Sequence, residues 1–319
     1  MGVKDTVTIR YLRQNDIFAD AFNYFIYNGR KVIIPERLEE LDTREVDVPY
    51  GGENGAKQPV QKTRDVIKTL RAMTDGRAAY LVLAIEAQSN IHYAMAVKNM
   101  VYDALQYAKQ VEEAVASHRV SGDYKNVGSD EYLSGFMKQD RLMPVVTLVI
   151  YFDSKKWDGP RTIHEMFSVQ DEELLSYVPD YKINLIEPAM MKKEDFDKFS
   201  TTLKEVLTFI KYSKDADGLK EALDADPNFQ HLGREEVDVL NACTNADLRL
   251  SESEVTLDVC EAIRVLNQRA ADEAAEKERI TTLVESINNL KKNMGWTSER
   301  AMEILGLSEN DRKATAPFL

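Results

Sequence analysis

The chain has 319 residues, of which 44% are hydrophobic and 30% charged, and its formal net charge at pH 7 is −13. This composition predicts one sizeable hydrophobic core with a smaller helical unit attached, and it argues against disorder. The sequence has no apolar run long enough for a membrane span, and the charged first residues are unlike a signal peptide, so we expect a cytoplasmic protein without a membrane partner. Its two cysteines, Cys243 and Cys260, form no CxxC pair, which favours reduced thiols over a disulfide or a zinc site.

The charge is distributed unevenly along the chain. Residues 1–150 hold 19 basic and 20 acidic side chains, whereas residues 151–319 hold 22 and 34. Because lysine and arginine neutralise phosphates in nucleic-acid complexes, a nucleic-acid surface is expected in the first half. The acidic second half is expected to solvate the protein, to regulate it or to bind a partner.

The first predicted element is a helix over residues 15–27, where apolar side chains recur at helical spacing. The pair Asn28-Gly29 is a typical helix end. The Gly- and Pro-rich stretch 49–59 predicts an exposed loop.

A β-hairpin is predicted next, with strands over residues 63–70 and 78–88 and a turn at 74–76. The second strand is continuously apolar up to Glu86. Such a strand is buried on both faces and belongs in the middle of a covered sheet.

Residues 93–113 predict an amphipathic helix packed on this sheet. Its predicted buried face is an apolar stripe of Val97, Met100, Val101, Ala104, Leu105, Ala108 and Val111. The polar or amphipathic side chains largely off this stripe are Lys98, Tyr102, Gln106 and Lys109. A further apolar strand follows at residues 144–153, and this order of helices and strands is typical of an α/β fold.

From about residue 195 onward the sequence predicts helices and no convincing strand. They cover residues 196–212, roughly 257–292, and 298–305, where Gly306 ends the last one. We therefore predict three regions: an α/β core over 1–170, a connecting segment over 171–195, and an acidic helical C-terminal region over 196–319.

Candidate chemistry lies at the end of the predicted hairpin. Alternate side chains of a strand share a face, so Glu86 and Gln88 project the same way, and the hairpin can place Asp65 beside them. Two carboxylates and the backbone carbonyl of Ala87 are the kind of oxygen ligands that Mg²⁺ prefers. The alternative is that each acidic residue is only a solvated charge at a strand end. A carboxylate next to the apolar run YLVLAI is costly if buried unpaired, and such conflicts tend to mark functional sites.

Several motifs in one order resemble a known family. They are TRDVIKTL, YLVLAIEAQSN, YAMAVKNMVYDALQYAKQV and LMPVVTLVIYFDSKKWDGPRTIHEMF, and together they span roughly residues 60–170. This series resembles the recombination-promoting nuclease/putative transposase family, also called YhgA-like. The segment NDIFADAFN is also similar to the first helix of that family.

The resemblance implies a PD-(D/E)XK restriction-endonuclease-like core, a mixed sheet flanked by helices, with an α-helical C-terminal region. It implies Asp65 and Glu86 as metal ligands, with Gln88 standing where many relatives in the superfamily have lysine. An acidic residue of the first helix, Asp16 or Asp20, would join them, with Asp16 preferred. The implied activity is Mg²⁺- or Mn²⁺-dependent hydrolysis of DNA in recombination or transposition.

Basic residues near the predicted site are candidates for DNA contacts: Arg64, Lys68, Lys98 and Lys109. The alternative function is a catalytically silent or toxin-like protein that keeps the nuclease fold and binds another macromolecule through its acidic helices. The intact Asp65, Glu86 and Gln88 favour the enzyme, whereas the overall acidity and the missing lysine favour the interaction protein. A homo-oligomer and a protein partner for the acidic helices both remain open.

Overall fold

The structure is a computed structural model that describes residues 3–41, 44–46, 61–63, 65–70, 81–123, 127–251 and 253–319. The predicted loop at 49–59 and the predicted turn at 74–76 lie outside these residues. The described helices are α1 Val3–Leu12, α2 Asn15–Tyr27, α3 Met95–Ser121, α4 Ser129–Ser134, α5 Glu172–Leu175, α6 Lys193–Phe196, α7 Leu203–Tyr212, α8 Ala216–Ala225, α9 Arg234–Thr244, α10 Val259–Met294, α11 Ser298–Ile304 and α12 Glu309–Thr315.

The described strands form one larger sheet and two small pairs. They are β1 Leu38–Glu40, β2 Arg44–Val46, β3 Gln61–Thr63, β4 Val66–Leu70, β5 Leu81–Gln88, β6 Val145–Tyr151, β7 Asn184–Ile186, β8 Leu232–Gly233 and β9 Thr256–Leu257. The larger sheet has the order β1-β4-β5-β6-β7. Strands β1, β4 and β5 pair antiparallel, whereas β5, β6 and β7 run parallel. The fold is therefore mixed α/β, as the element order predicted.

The sheet places the end of β5 in its interior. Strands β5 and β6 are paired in register from Val82 opposite Val145 to Gln88 opposite Tyr151. The two carboxyl ends therefore lie side by side, and the amino end of the antiparallel β4 lies at the same edge. One sheet edge thus collects the residues that the sequence analysis selected.

Helix α2 has the bounds predicted from its periodicity. Its apolar face, with Ile17, Phe18 and Phe22 buried, belongs to the core. Asn28 ends the helix in the left-handed conformation at φ 53°, which asparagine adopts more readily than most residues. Gly29 follows at φ 86°.

Helix α3 packs on the sheet with a different face from the one predicted. Its buried residues are Met95, Ala96, Asn99, Tyr102, Asp103 and Gln106, whereas the predicted apolar stripe is half-buried, with Ala104 exposed. The reason is polar pairing: Asp103 accepts hydrogen bonds from the hydroxyls of Thr147, at 2.6 Å, and Tyr181, at 2.5 Å. Because the sheet has a polar side chain, Thr147, under this helix, the helix buries a polar side chain, Asp103, against it.

Several short strands lie where the sequence predicted none, among them β1 and β2. Strand β7, in the predicted connecting segment, pairs with β6, and β8 pairs with β9 after residue 195. Segments of two or three residues are too short to show the alternation that identifies a strand. The helix predicted over 196–212 begins only at Leu203, as α7. Ser200 and Thr201, which precede it, donate to the carboxylate of Asp20 instead of continuing a helix.

The chain forms two compact units, residues 1–257 and 258–319. The boundary therefore differs from the one expected at residue 196, because α7 packs with α2 and α9 packs with α1 inside the first unit. In the second unit α11 and α12 pack on α10 around Ile287, Ala301 and Met302. Among the described residues, no helix combines the length and the apolarity that crossing a membrane would require.

Candidate functional site

Asp65 and Glu86 meet at one edge of the sheet. Val66 pairs with Ile85, so continuing the antiparallel register by one residue sets Asp65 opposite Glu86. Directly opposed residues of such a pair have Cα atoms about 4.5–5.5 Å apart. The two carboxylates thus belong to neighbouring positions, as the predicted hairpin required.

The carboxylate of Asp65 is held by the backbone of β5. Its Oδ2 accepts a hydrogen bond from the N–H of Ala87 at 2.9 Å. Burial raises the pKa of Asp65, and this bond and the charge of Lys98 only partly offset the effect, while Asp5 adds to it. A raised pKa means that the ionised carboxylate is unfavourable in this position unless a positive charge joins it.

Glu86 is fully buried and forms an ion pair with Lys98. The side chain of Glu86 has 0% relative exposure, and the ammonium of Lys98 donates to its Oε2 at 2.6 Å. Burial alone would lower the pKa of Lys98, but the charge and the hydrogen bond of Glu86 raise it. The ion pair therefore keeps Lys98 charged beside the two carboxylates.

Gln88 and the carbonyl of Ala87 complete this edge. Gln88 lies on the same face of β5 as Glu86, and its side chain is half-buried. The N–H and C=O of one strand residue point to the same neighbouring strand. The carbonyl of Ala87 is therefore directed to the side of Asp65, where its N–H already binds.

The first helix contributes Asp5 rather than the two residues that the sequence suggested. Asp5 accepts a hydrogen bond from the hydroxyl of Ser89, at the end of β5, over 2.9 Å. Asp20 is buried and accepts bonds from the backbone and hydroxyls of Ser200 and Thr201, which is a structural role. Asp16 is exposed on α2 and is not brought to Asp65.

The position of Asp16 follows from the two faces of the sheet. Its charge acts on the ammonium of Lys68. Ile67 clusters with Ala84, and Ala84 lies on the same face of β5 as Glu86, two residues away. Lys68, the neighbour of Ile67 on β4, therefore points to the other face of the sheet. Asp16 therefore belongs to the opposite face of the sheet from Glu86.

The four basic residues proposed for DNA contacts differ in where they lie. Lys68 is 1% exposed and its ammonium donates to the carbonyl of Arg13 at 2.5 Å and to Asn15; this burial leaves it no access to a phosphate. Lys98 forms the ion pair with Glu86 inside the candidate site. Lys109 is exposed but lies about 16 Å farther along α3 than Lys98. Arg64 lies outside the described residues.

Comparison with known families decides the relationship of the chain. The family described as putative transposase, YhgA-like, matches residues 61–232, which is more than half of the 319 residues. The chain belongs to this family. Assignment to the PD-(D/E)XK superfamily is consistent with membership of this family. The matched region includes Asp65, Glu86 and Gln88. No curated protein and no solved structure matches the chain.

The donor set at this edge fits a hard divalent cation. Among the described residues, no group of three or more His, Cys, Asp or Glu side chains is arranged to hold a metal ion. Mg²⁺, however, is usually bound through one or two carboxylates, with waters and substrate phosphates as the other ligands. Asp65, Glu86 and the carbonyl of Ala87 satisfy that requirement, and a cation would favour the ionised form of Asp65.

One residue of this site was missed from the sequence, and another was expected in a different role. Lys98 was predicted near the site as a candidate for a DNA contact, whereas in the structure its ammonium binds Glu86. Its place in the helix that directly follows the E-x-Q strand was the signal for this position above the strand end. Asp5 lies 84 positions from Ser89, and the sequence carries no signal for that contact.

Proposed function

We propose that the chain is a metal-dependent DNA endonuclease with a PD-(D/E)XK core. In this proposal Asp65, Glu86 and the carbonyl of Ala87 hold one Mg²⁺, or Mn²⁺ in its place. The observation that carries the proposal is the meeting of Asp65 and Glu86 at one sheet edge, with Lys98 bonded to Glu86. Membership of a transposase-type family supports DNA as the substrate and recombination or transposition as the process.

Each side chain has a distinct role in this proposal. A bound Mg²⁺ would lower the pKa of a water and stabilise the leaving oxygen. The neutral amide of Gln88 orients the attacking water by hydrogen bonds, since it has both donors and an acceptor. Lys98 supplies the positive charge that Gln88 lacks, because its pKa is raised and its ammonium stays protonated.

In this proposal Lys98 acts from helix α3 rather than from the strand. It follows Glu86 by 12 residues and rises from the first turn of α3, so the β5–α3 connection brings it over the strand end. A preorganised charge at this point stabilises the negative charge that develops on the phosphate. The departure from the lysine-containing motif at Gln88 is thereby compensated.

The test is nicking of supercoiled plasmid by the full chain at low salt, with Mg²⁺, with Mn²⁺ and with a chelator. We expect relaxed and linear DNA only with a divalent cation. A folded protein that leaves the plasmid intact with either cation would favour the alternative, a catalytically silent protein that keeps the fold to bind another macromolecule.

A further inference from the structure

The loops that follow β5 and β6 form one surface beside the candidate site. The parallel strands bring the two loops together, and the N–H of Phe152 donates to the carbonyl of Gln88 at 2.8 Å. A Cβ built on Gly159 in the second loop would lie 2.9 Å from Cγ2 of Ile91 in the first. The two loops are therefore in close contact.

The loop after β6 is fixed by a buried tryptophan. Trp157 packs edge-on against Tyr151 with ring centroids 5.4 Å apart, and its backbone N–H donates to the carboxylate of Glu187 at 2.6 Å. The preceding residues Lys155 and Lys156 are exposed. Two lysines thus stand on an anchored turn at the carboxyl edge of the sheet.

The loop after β5 presents an oriented aromatic ring. Tyr93 is 59% exposed, yet its hydroxyl donates to Asp158 of the other loop at 3.1 Å. This bond raises the pKa of Tyr93, so the phenol stays protonated and keeps donating. More than half of the surface of Tyr93 is thus open to solvent while its hydroxyl is held by the other loop.

We propose that these two loops, the rim formed by residues 89–94 and 152–159, bind DNA with unpaired nucleotides. One base stacks on Tyr93, and Lys155 and Lys156 contact flanking phosphates. The inference rests on the proposed nuclease function and adds its substrate class. Base stacking on aromatic side chains is tolerant of sequence, whereas the bases of an intact duplex are already stacked on one another.

Two kinds of contact, base stacking and lysine–phosphate pairing, determine the affinity of the rim for DNA. Stacking on one aromatic residue accounts for roughly 5- to 100-fold in affinity. The two lysine contacts are electrostatic, so they weaken as salt rises. The rim therefore favours single-stranded DNA, flaps and junctions over continuous duplex.

Fluorescence anisotropy of the full chain tests this rim in metal-free buffer at about 50 mM salt. The probes are a labelled single-stranded oligonucleotide and the corresponding duplex. We expect Tyr93→Ala to lose roughly 5- to 100-fold in affinity for the single strand and little for the duplex, whereas Tyr93→Phe keeps most of it. Tyr177→Ala is the matched control, at a tyrosine that is 83% exposed and outside the rim, and it should bind like the wild type.

The lysines are tested in the same assay. Lys155→Ala/Lys156→Ala should weaken both probes and make the dependence on salt less steep, because two phosphate contacts are removed. Unchanged single-strand binding by Tyr93→Ala at an unchanged melting temperature would overturn the proposal. So would an equal loss in Tyr93→Phe, or a wild-type protein that binds neither probe.

These results separate the rim from the nuclease. Normal cleavage with no effect of Tyr93→Ala on binding refutes the rim and leaves the nuclease standing. If Tyr93→Ala loses single-strand binding but the wild-type protein never cleaves DNA, the proposed rim is supported and the proposed nuclease activity is refuted.

Discussion

The ammonium of Lys98 lies 2.6 Å from Oε2 of Glu86, a side chain with no exposed surface. An ion pair of this kind is costly to break, because removing one partner leaves the other charged and buried. Among the described side chains of the candidate site, Lys98 carries the only positive charge. It lies on helix α3 rather than on the strand.

Substitution of Lys98 by methionine should destabilise the fold. We expect a loss of about 3–5 kcal/mol for Lys98→Met, because Glu86 is left without its ion-pair partner. The double variant Lys98→Met/Glu86→Gln should regain much of that stability but no DNA cleavage. Urea unfolding measures this, with Lys109→Met, at an exposed lysine of the same helix, as the control. A Lys98→Met protein as stable as the wild type would show that the ion pair does not form.

Substitution of Asp65 by asparagine should leave the fold intact. Burial raises the pKa of Asp65 above its ordinary value of 3.8, so its stabilising contribution is complete at acid pH and is lost as the pH rises through the folded-state pKa. At pH 7 without metal, Asp65→Asn should therefore melt at the same or a higher temperature than the wild type. Mg²⁺ should raise the melting temperature of the wild type alone. A marked loss of stability in the variant would assign Asp65 a structural role instead.

Local patterns were sufficient to predict part of this architecture. The bounds of α2 follow from its apolar periodicity and from Asn28, and the apolar runs of β5 and β6 predicted central strands. The arrangement of Asp65 directly before β4, with Glu86 and Gln88 on the paired strand β5, is also a local relation. Each of these inferences depends on neighbours within one element or one hairpin.

Long-range polar contacts could not be predicted in this way. Asp20 has the spacing of a first-helix ligand, but Ser200 and Thr201 bind it from 180 and 181 residues away. The prediction for α3 assumed that an apolar face meets the sheet, whereas Asp103 and Lys98 meet Thr147 and Glu86. Pairing between polar groups leaves no periodicity in the sequence.

Removal of the second unit should leave the first one folded. Residues 258–319 hold 9 basic and 11 acidic side chains, so the acidic surplus of the second half lies mainly before this unit. A chain ending at residue 257 should unfold cooperatively and keep its DNA affinity. A chain ending at residue 195 should aggregate, because it lacks α7 and α9, which pack with α2 and α1. Circular dichroism, size-exclusion chromatography and anisotropy measure this; a cooperative transition in the shorter chain would contradict the domain boundary.

His118 should make stability depend on pH. Its ring nitrogens lie 3.0 Å from Asp140 and 3.3 Å from Asp123, and their hydrogen bonds raise the pKa of His118 above its ordinary 6.5. Hydrogen bonds lower the pKa of both carboxyl groups. The stabilisation from His118 is complete below 6.5 and is lost as the pH rises through the folded-state pKa, whereas that from the carboxylates is complete above 3.8 and is lost as the pH falls.

Melting temperatures across pH test this contact. The difference between the wild type and His118→Gln should be largest between pH 3.8 and 6.5 and should shrink toward alkaline pH. His231→Gln, at an exposed histidine, is the control. A difference for His118→Gln that grows above neutral pH would show that the charged imidazole does not stabilise this contact.

The most direct test of the proposed site is the rate of plasmid nicking with Mg²⁺ by Asp65→Asn and Asp16→Asn, each compared with the wild type. Both variants remove one negative charge, and both positions were candidate metal ligands, but only Asp65 lies beside Glu86. We expect Asp65→Asn to lose at least about 100-fold in rate, or roughly 2.7 kcal/mol of transition-state stabilisation, while Asp16→Asn cleaves like the wild type. Undiminished nicking by Asp65→Asn, or an equal loss in both variants, would contradict the assignment of the metal site to Asp65 and Glu86.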